Sequence, residues 1–222
     1  LSFSSAPDFL ITGPAGAKAA ATLLLAHGAG GAMDSPSMNA AAAALADAGL
    51  RVARFEFGYM AARRQGTRKP PPKAETLQPE YVAAVAALRR AETMPKGHKL
   101  IIGGKSMGGR VASMVADALH AEGEIAGLLC LGYPFHPPDK PQQLRTAHLK
   151  GLRTPALIVQ GTRDPFGTRA EVAGYRLSDA IEILWLEDGD HDLKPRKSVS
   201  GFTAAQHLGT LAARVAAWVA AL

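Results

Sequence analysis

With one cysteine among its 222 residues, Cys130, the chain cannot form an internal disulfide. That cysteine sits in the apolar run Ile125-Ala-Gly-Leu-Leu-Cys-Leu131, where it reads as a small buried hydrophobe, so the redox compartment stays unconstrained. No apolar stretch reaches the ~18 residues of a transmembrane helix, and Leu1 to Lys18 lacks the basic start and apolar centre of a signal peptide. A cytoplasmic protein with no membrane partner is expected. The chain starts at leucine rather than methionine, which is also compatible with a removed leader. Internal repeats and linkers are missing as well, which excludes solenoid architectures and favours one compact unit over residues 1–222.

What is present suits a folded core: 47% of residues are hydrophobic and 20% charged, without the depletion that marks disorder. The formal charge of +6 and a pI near 9.6 favour acidic partners in general. A nucleic-acid site, however, needs clustered charge, and a nucleic-acid partner is not expected from net charge alone. The oligomeric state stays open.

Short apolar runs alternate with alanine-rich stretches of helical spacing. The runs predict strands at Thr22–Ala26, Arg51–Phe55, Leu100–Gly103, Ile125–Leu131, Ala156–Gln160 and Ile181–Trp185. Helices are expected at Ser37–Ala48, Pro79–Glu92, Met107–Ala121, Lys140–His148, Arg169–Leu177 and Thr203–Ala221. Pro36 and Thr203 mark helix starts, while Gly49 and Gly123 mark stops. This βαβ order predicts an α/β fold, a mostly parallel central sheet with helices on both faces in three layers. Gly58 to Lys73, with Arg63-Arg64, Arg68-Lys69 and three consecutive prolines, reads as a long exposed basic loop. Tyr133 to Pro141 is proline-rich but too short for a lid domain.

Gly104-Lys105-Ser106-Met107-Gly108 lies between a predicted strand and a predicted helix. A nucleophile elbow needs small residues around the serine because the turn is sharp, and it lifts the hydroxyl above the sheet. A serine hydroxyl attacks only when a base takes its proton, so an acid and a histidine should follow in that order. Asp164 follows the strand ending at Gln160, and His191 follows the strand ending at Trp185. Singly they read as a turn former before Pro165 and a solvated loop residue. Jointly they form the order Ser106, Asp164, His191. The tetrahedral intermediate needs two backbone donors, for which Met107 and the loop residues Ala29 and Gly30 are candidates. His27 begins that loop and is given a structural or oxyanion-loop role, not that of general base. Tyr133, His136, Arg145 and His148 are candidate substrate-binding residues, with Arg145 and His148 sharing a face of the expected helix Lys140–His148. No cofactor or metal is expected.

Two phosphate-binding readings fail. A P-loop ending at Gly104-Lys105-Ser106 would need glycine at position 99, which is Lys99. A dinucleotide fingerprint beginning at Gly28 meets Met33 in place of its third glycine.

Leu25-Ala-His-Gly-Ala-Gly-Gly31, Gly103-Gly-Lys-Ser-Met-Gly-Gly-Arg110, Gln160-Gly-Thr-Arg-Asp164 and Gly189-Asp-His191 together resemble the α/β-hydrolase superfamily, in its lidless dienelactone-hydrolase-like branch. Phe57 to Arg64, Gly132 to Pro138 and Leu144 to Leu149 look like a subgroup that includes bacterial predicted hydrolases, the testis-expressed hydrolase-like protein and the third subunit of the non-specific-lethal chromatin complex. The resemblance implies a fold and a triad acting on a small acyl substrate, with no named reaction. Ser106 stands where dienelactone hydrolases use cysteine, which puts their lactone substrate in doubt. The competing expectation from another class is a non-enzymatic adaptor of the same fold that binds protein or nucleic acid through Arg63 to Lys73.

Overall fold

In the computed structural model of the protein, residues 7–15, 18–67, 69–91 and 95–222 are described. Seven strands form one sheet: β1 (Leu10–Thr12), β2 (Thr22–Ala26), β3 (Arg51–Phe55), β4 (Leu100–Lys105), β5 (Gly127–Leu131), β6 (Ala156–Gly161) and β7 (Ile181–Leu186), in spatial order 1-3-2-4-5-6-7. Only β1 runs antiparallel; it pairs with β3 through Leu10–Arg54, Ile11–Ala53 and Thr12–Val52. The remaining neighbours are parallel, and β2, β4, β5 and β6 are buried along their whole length. Strands covered on both faces need apolar side chains at every position, which is why these segments read as continuous runs rather than alternations.

The two faces carry separate cores. Leu23 and Leu25 of β2, Ile101, Leu129, Leu157 and Val159 pack against Met38 and Leu45 of α1 (Pro36–Asp47) and against Leu211, Val215 and Trp218 of α7 (Ala204–Ala221). Leu24, Ile102, Leu128, Cys130 and Ile158 face the other way, onto Tyr81, Val85 and Leu88 of α3 (Gln78–Ala91) and Val111, Val115 and Leu119 of α4 (Met107–Ala121). The result is a three-layer α/β/α arrangement. Cys130 is fully enclosed here and burial pushes its thiol pKa up, so it packs as a small apolar group.

Several expectations about the chain shift. The edge strand β1 was not expected; three residues leave too short a pattern to read. Gly58 to Arg64 is not loop but a short helix, α2, anchored by buried Tyr59 and Met60. The charge and prolines further along the segment masked that apolar pair. Lys140–His148 is not a helix: Arg145 N–H donates across to Phe135 O at 2.7 Å and the Tyr133 hydroxyl donates to Arg145 O at 3.2 Å, so the backbone bonds sideways instead of along an axis. A single 3₁₀ turn follows at Ala147–Gly151, and the 132–155 connection holds no larger element and so no lid domain. The helix expected at Arg169–Leu177 stops at Val172 as α5, opened by a Thr168–Glu171 capping box. A further one-turn helix, α6 (Lys197–Ser200), precedes α7. Strand β5 begins at Gly127 rather than Ile125. Arg68 and Glu92 lie outside the described residues. Among the described residues no helix is long and apolar enough to cross a membrane.

Candidate active site

β4 and α4 meet at Ser106, whose φ of 50° and ψ of −116° place a non-glycine residue in the left-handed half of conformational space. Such strain costs on the order of 1–3 kcal/mol and persists only where the surroundings enforce it. They do: Ser106 N–H donates to Leu131 O at 3.0 Å and Arg110 N–H donates to Ser106 O at 3.0 Å, and α4 lies against β2. A Cβ on Gly108 would stand 2.5 Å from Ala26 O, and one on Gly104 would stand 2.4 Å from the same atom. Glycine at both positions is therefore a requirement of packing.

The hydroxyl so presented meets the loops that follow β6 and β7. His191 Nε2 lies 2.8 Å from Ser106 Oγ, and His191 Nδ1 lies 2.8 Å from Asp164 Oδ2. Because a carboxylate accepts only, Nδ1 carries the proton and Nε2 is left to accept from the serine. Asp164 is fully buried, but each of its oxygens is used: Oδ1 accepts Phe166 N–H at 2.9 Å, and Oδ2 also accepts Gln160 Nε2–H at 2.9 Å. Gln160 is itself tied to Tyr133 N–H and O and to Gly167 O. The Phe166 ring stacks on the His191 ring, 4.1 Å between centroids at 30°.

The His191 loop is clamped from several sides. Lys105 Nζ donates to His191 O at 2.6 Å, with Asp192 3.6 Å away. Burial presses the Lys105 pKa downward against the opposing pull of Asp192, Asp164 and Asp190. Asp188 and Leu193 take positive φ values of 55° and 63° on either side of the histidine. The Asp188 carboxylate holds Arg196 through several bonds, and Arg163 reaches Asp188 O at 2.8 Å and Lys194 O at 3.1 Å.

The loop after β2 supplies the opposite wall. His27 is buried; its Nε2 accepts from Phe57 N–H at 3.2 Å, so Nδ1 carries the proton and donates to Gly28 O at 2.7 Å. Burial lowers its pKa, and with both nitrogens used it acts as a strut. The Tyr59 hydroxyl donates to Ala29 O at 3.0 Å. Ala29 and Gly30 border a hollow of about 260 Å³ together with Ser106, His191, Phe166 and Lys105. Met107 is the first residue of α4, so its N–H has no partner within the helix. A second hollow of about 360 Å³ opens from Ser106 on the other side, bordered by Met107, Arg110, Pro134, Arg145 and Pro71 to Glu75.

Of the four candidate substrate residues, Arg145 alone borders a hollow beside Ser106. Tyr133 and His136 are buried: the Tyr133 hydroxyl is spent on Arg145 O, while His136 Nδ1 is bonded to Pro137 O and Nε2 lies 3.5 Å from Glu171. His148 lies 2.8 Å from Ser113 Oγ. This second serine–histidine contact is wired differently: Ser113 donates its proton to Arg110 O at 2.7 Å, so Nε2 of His148 donates to the serine and cannot act as its base. Histidine pairs with carboxylate among the described residues at His136–Glu171 and His191–Asp164, and His148 has no such partner.

The first two arginines of the basic segment bond within the molecule, while Lys69 and Lys73 are exposed. Arg64 makes a two-pronged contact with Glu56 at 2.8 Å and reaches Asp34, also at 2.8 Å, while Arg63 lies over the Tyr59 ring and donates to Lys69 O. Lys105, Gln160, Phe166 and Arg110 belong to the site and escaped sequence reasoning. Arg110 alone left a readable sign, standing one helical turn beyond the elbow serine.

Residues 19–220 match the alpha/beta hydrolase domain family. Among solved structures, an α/β serine hydrolase homologue from Coxiella burnetii superimposes with a TM-score of 0.68 at 18% identity, covering 94% of this chain and 89% of that one. A lidless α/β serine hydrolase from Xanthomonas campestris gives 0.67 at 19% identity over 96% and 88%. A dienelactone hydrolase from Anabaena variabilis gives 0.67 at 19% identity over 96% and 97%. At these identities the likeness is one of fold.

Proposed function

The chain belongs to the alpha/beta hydrolase domain family, and from that premise we propose that it is a serine hydrolase of small esters or related acyl compounds, with Ser106 as nucleophile, His191 as base and Asp164 as the acid that orients it. The observation that carries this reading is the unbroken line from Ser106 Oγ through both ring nitrogens of His191 to Asp164, 2.8 Å at each step.

Ser106 Oγ attacks the acyl carbon as its proton passes to His191 Nε2, and Asp164 stabilises the imidazolium that forms. The carbonyl π electrons move to oxygen, which the amides of Met107 and of Ala29 or Gly30 receive; one such donor contributes about 10²–10³ in rate. Collapse breaks the bond to the leaving oxygen, which takes the proton from Nε2 and departs as an alcohol. Water, deprotonated by the same nitrogen, then attacks the acyl-serine, freeing the acid and restoring Ser106. The stacked Phe166 restricts ring rotation, so the orientation that serves the first half serves the second.

The finer kinship, with the subgroup that includes the testis-expressed hydrolase-like protein and the chromatin-complex subunit, is likewise our proposal and rests on residues 57–64, 132–138 and 144–149. The test of the activity is turnover of 4-nitrophenyl butyrate. Wild type should hydrolyse it, and Ser106→Ala should lose most of a rate gain of about 10⁶ while keeping its circular dichroism and urea midpoint. Equal turnover in the folded variant would reject Ser106 as the nucleophile, and no turnover by folded wild type would leave the adaptor reading in its place.

A further inference from the structure

The hydrolase reading leaves one feature of the cleft unexplained. Three cationic side chains, Lys73, Arg110 and Arg145, and one carboxylate, Glu75, border the 360 Å³ hollow that opens from Ser106. Arg110 is paired with Glu75, yet its Nε is buried without a partner. No hydrogen bond or ion pair among the described residues engages the Arg145 guanidinium, and the residue is partly buried. Burial and the neighbouring Arg110 charge both lower the Arg145 pKa, the mark of a second cation held where one carboxylate serves two. Holding an uncompensated charge in a partly dry cleft costs stability, and a binding site recovers that cost when an anion arrives.

Which part of the substrate carries the anion follows from the proton's path. The leaving oxygen must collect its proton from His191 Nε2, and His191 borders the 260 Å³ hollow but not the one with the arginines. The leaving group therefore occupies the first hollow and the acyl group the second. Arg110 stands four residues beyond Ser106, and a helical side chain leans back over the preceding turn, so its guanidinium reaches toward the serine. A carboxylate held there shares the 360 Å³ hollow with the scissile carbonyl, which favours a short acyl chain.

We propose that this hollow is an anion subsite for the acyl portion, and that the preferred substrates are monoesters or related monoacyl derivatives of short dicarboxylic acids, with four or five carbons, whose free carboxylate is held by Arg145 and Arg110. This rests on the hydrolase reading for its chemistry, but the anion site can be tested separately.

Hydrolysis of monomethyl glutarate and of methyl pentanoate, which match in length and differ in terminal charge, gives a ratio of kcat/KM. Wild type should favour the anionic ester about tenfold or more, the preference should shrink with added salt, and Arg145→Ala should lower the ratio at least tenfold while Arg145→Lys retains part of it. In parallel, calorimetry should detect glutarate binding to Ser106→Ala and its loss in Ser106→Ala/Arg145→Ala. If methyl pentanoate is turned over with a ratio near one that Arg145→Ala leaves alone, the subsite is overturned and the hydrolase stands. If neither ester is turned over, calorimetry decides the site: binding lost with Arg145 keeps it, binding absent or indifferent to Arg145 overturns it, and the hydrolase falls only if 4-nitrophenyl butyrate is not turned over either. A urea midpoint near that of wild type separates these outcomes from unfolding of the variants.

Discussion

Lys105, the residue before the elbow serine, donates its ammonium proton to the backbone carbonyl of His191 at 2.6 Å. The same strand end therefore sets the position of Ser106 and fixes the loop that carries its histidine. A hydrogen bond from a charged donor contributes about 1.5–3 kcal/mol, roughly one to two factors of ten in a rate that depends on the alignment it secures. Lys105→Met should lower kcat at least tenfold with a smaller change in KM, because the bond holds the loop of the proposed base even though the side chain also borders the hollow beside Ser106. Steady-state kinetics on a short neutral ester checks this; a change confined to KM would contradict it.

The clamp between Asp188 and Arg196 predicts behaviour in acid. Bonds from Arg196 hold the Asp188 carboxyl down at about 2. A carboxyl depressed in the folded state contributes stability that is fully present above its unfolded value of about 3.9 and is lost as pH falls through about 2. The urea midpoint of wild type should exceed that of Asp188→Asn above pH 4, and the two curves should converge toward pH 2. Parallel curves down to pH 2 would show that the pair does not hold the loop.

The buried imidazole of His27 and the partly buried one of His148 act in a different window. Burial lowers the pKa of both His27 and His148. The unfolded chain then binds protons that the folded one refuses, so stability declines as pH drops below about 6.5, the reference value for histidine. His27→Gln, which keeps a donor and an acceptor, should show a shallower loss of urea midpoint between pH 7 and pH 5 than wild type. A slope identical in both would mean that His27 accepts a proton in place.

The missing lid predicts acyl-chain preference. Only a 3₁₀ turn interrupts residues 132–155, so this connection offers no helix to cover a long acyl chain. Each methylene that finds apolar wall contributes about 0.8 kcal/mol, and those beyond the hollow contribute nothing. Efficiency on neutral nitrophenyl esters should peak at acetyl to butyryl and decline beyond hexanoyl. Efficiency still climbing from butyryl to decanoyl would show that the prolines and Lys73 beside the cleft form an acyl groove.

Much of this molecule was legible because the parallel sheet writes itself plainly. Strands buried on both faces give unbroken runs such as Leu23-Leu-Leu25, and each turn after a strand then becomes a place to look for Ser106, Asp164 and His191. What escaped was set by tertiary contact. Lys105 reads as the variable position of a five-residue pattern, and nothing local says that it bonds a carbonyl 86 positions away. Gln160 reads as one more strand residue, although its amide is what satisfies the buried Asp164. The helix expected at Lys140–His148 failed for the same kind of reason. Its composition suits a helix, but Phe135 and Tyr133 capture the backbone groups of Arg145.

The central claim, that Ser106 and not another serine is the nucleophile, is tested most directly by locating the adduct of a fluorophosphonate probe by peptide mass spectrometry. The probe should form one stoichiometric adduct on Ser106 of folded wild-type protein and none in Ser106→Ala. An adduct on Ser113, or no adduct on folded wild-type protein, would contradict the account.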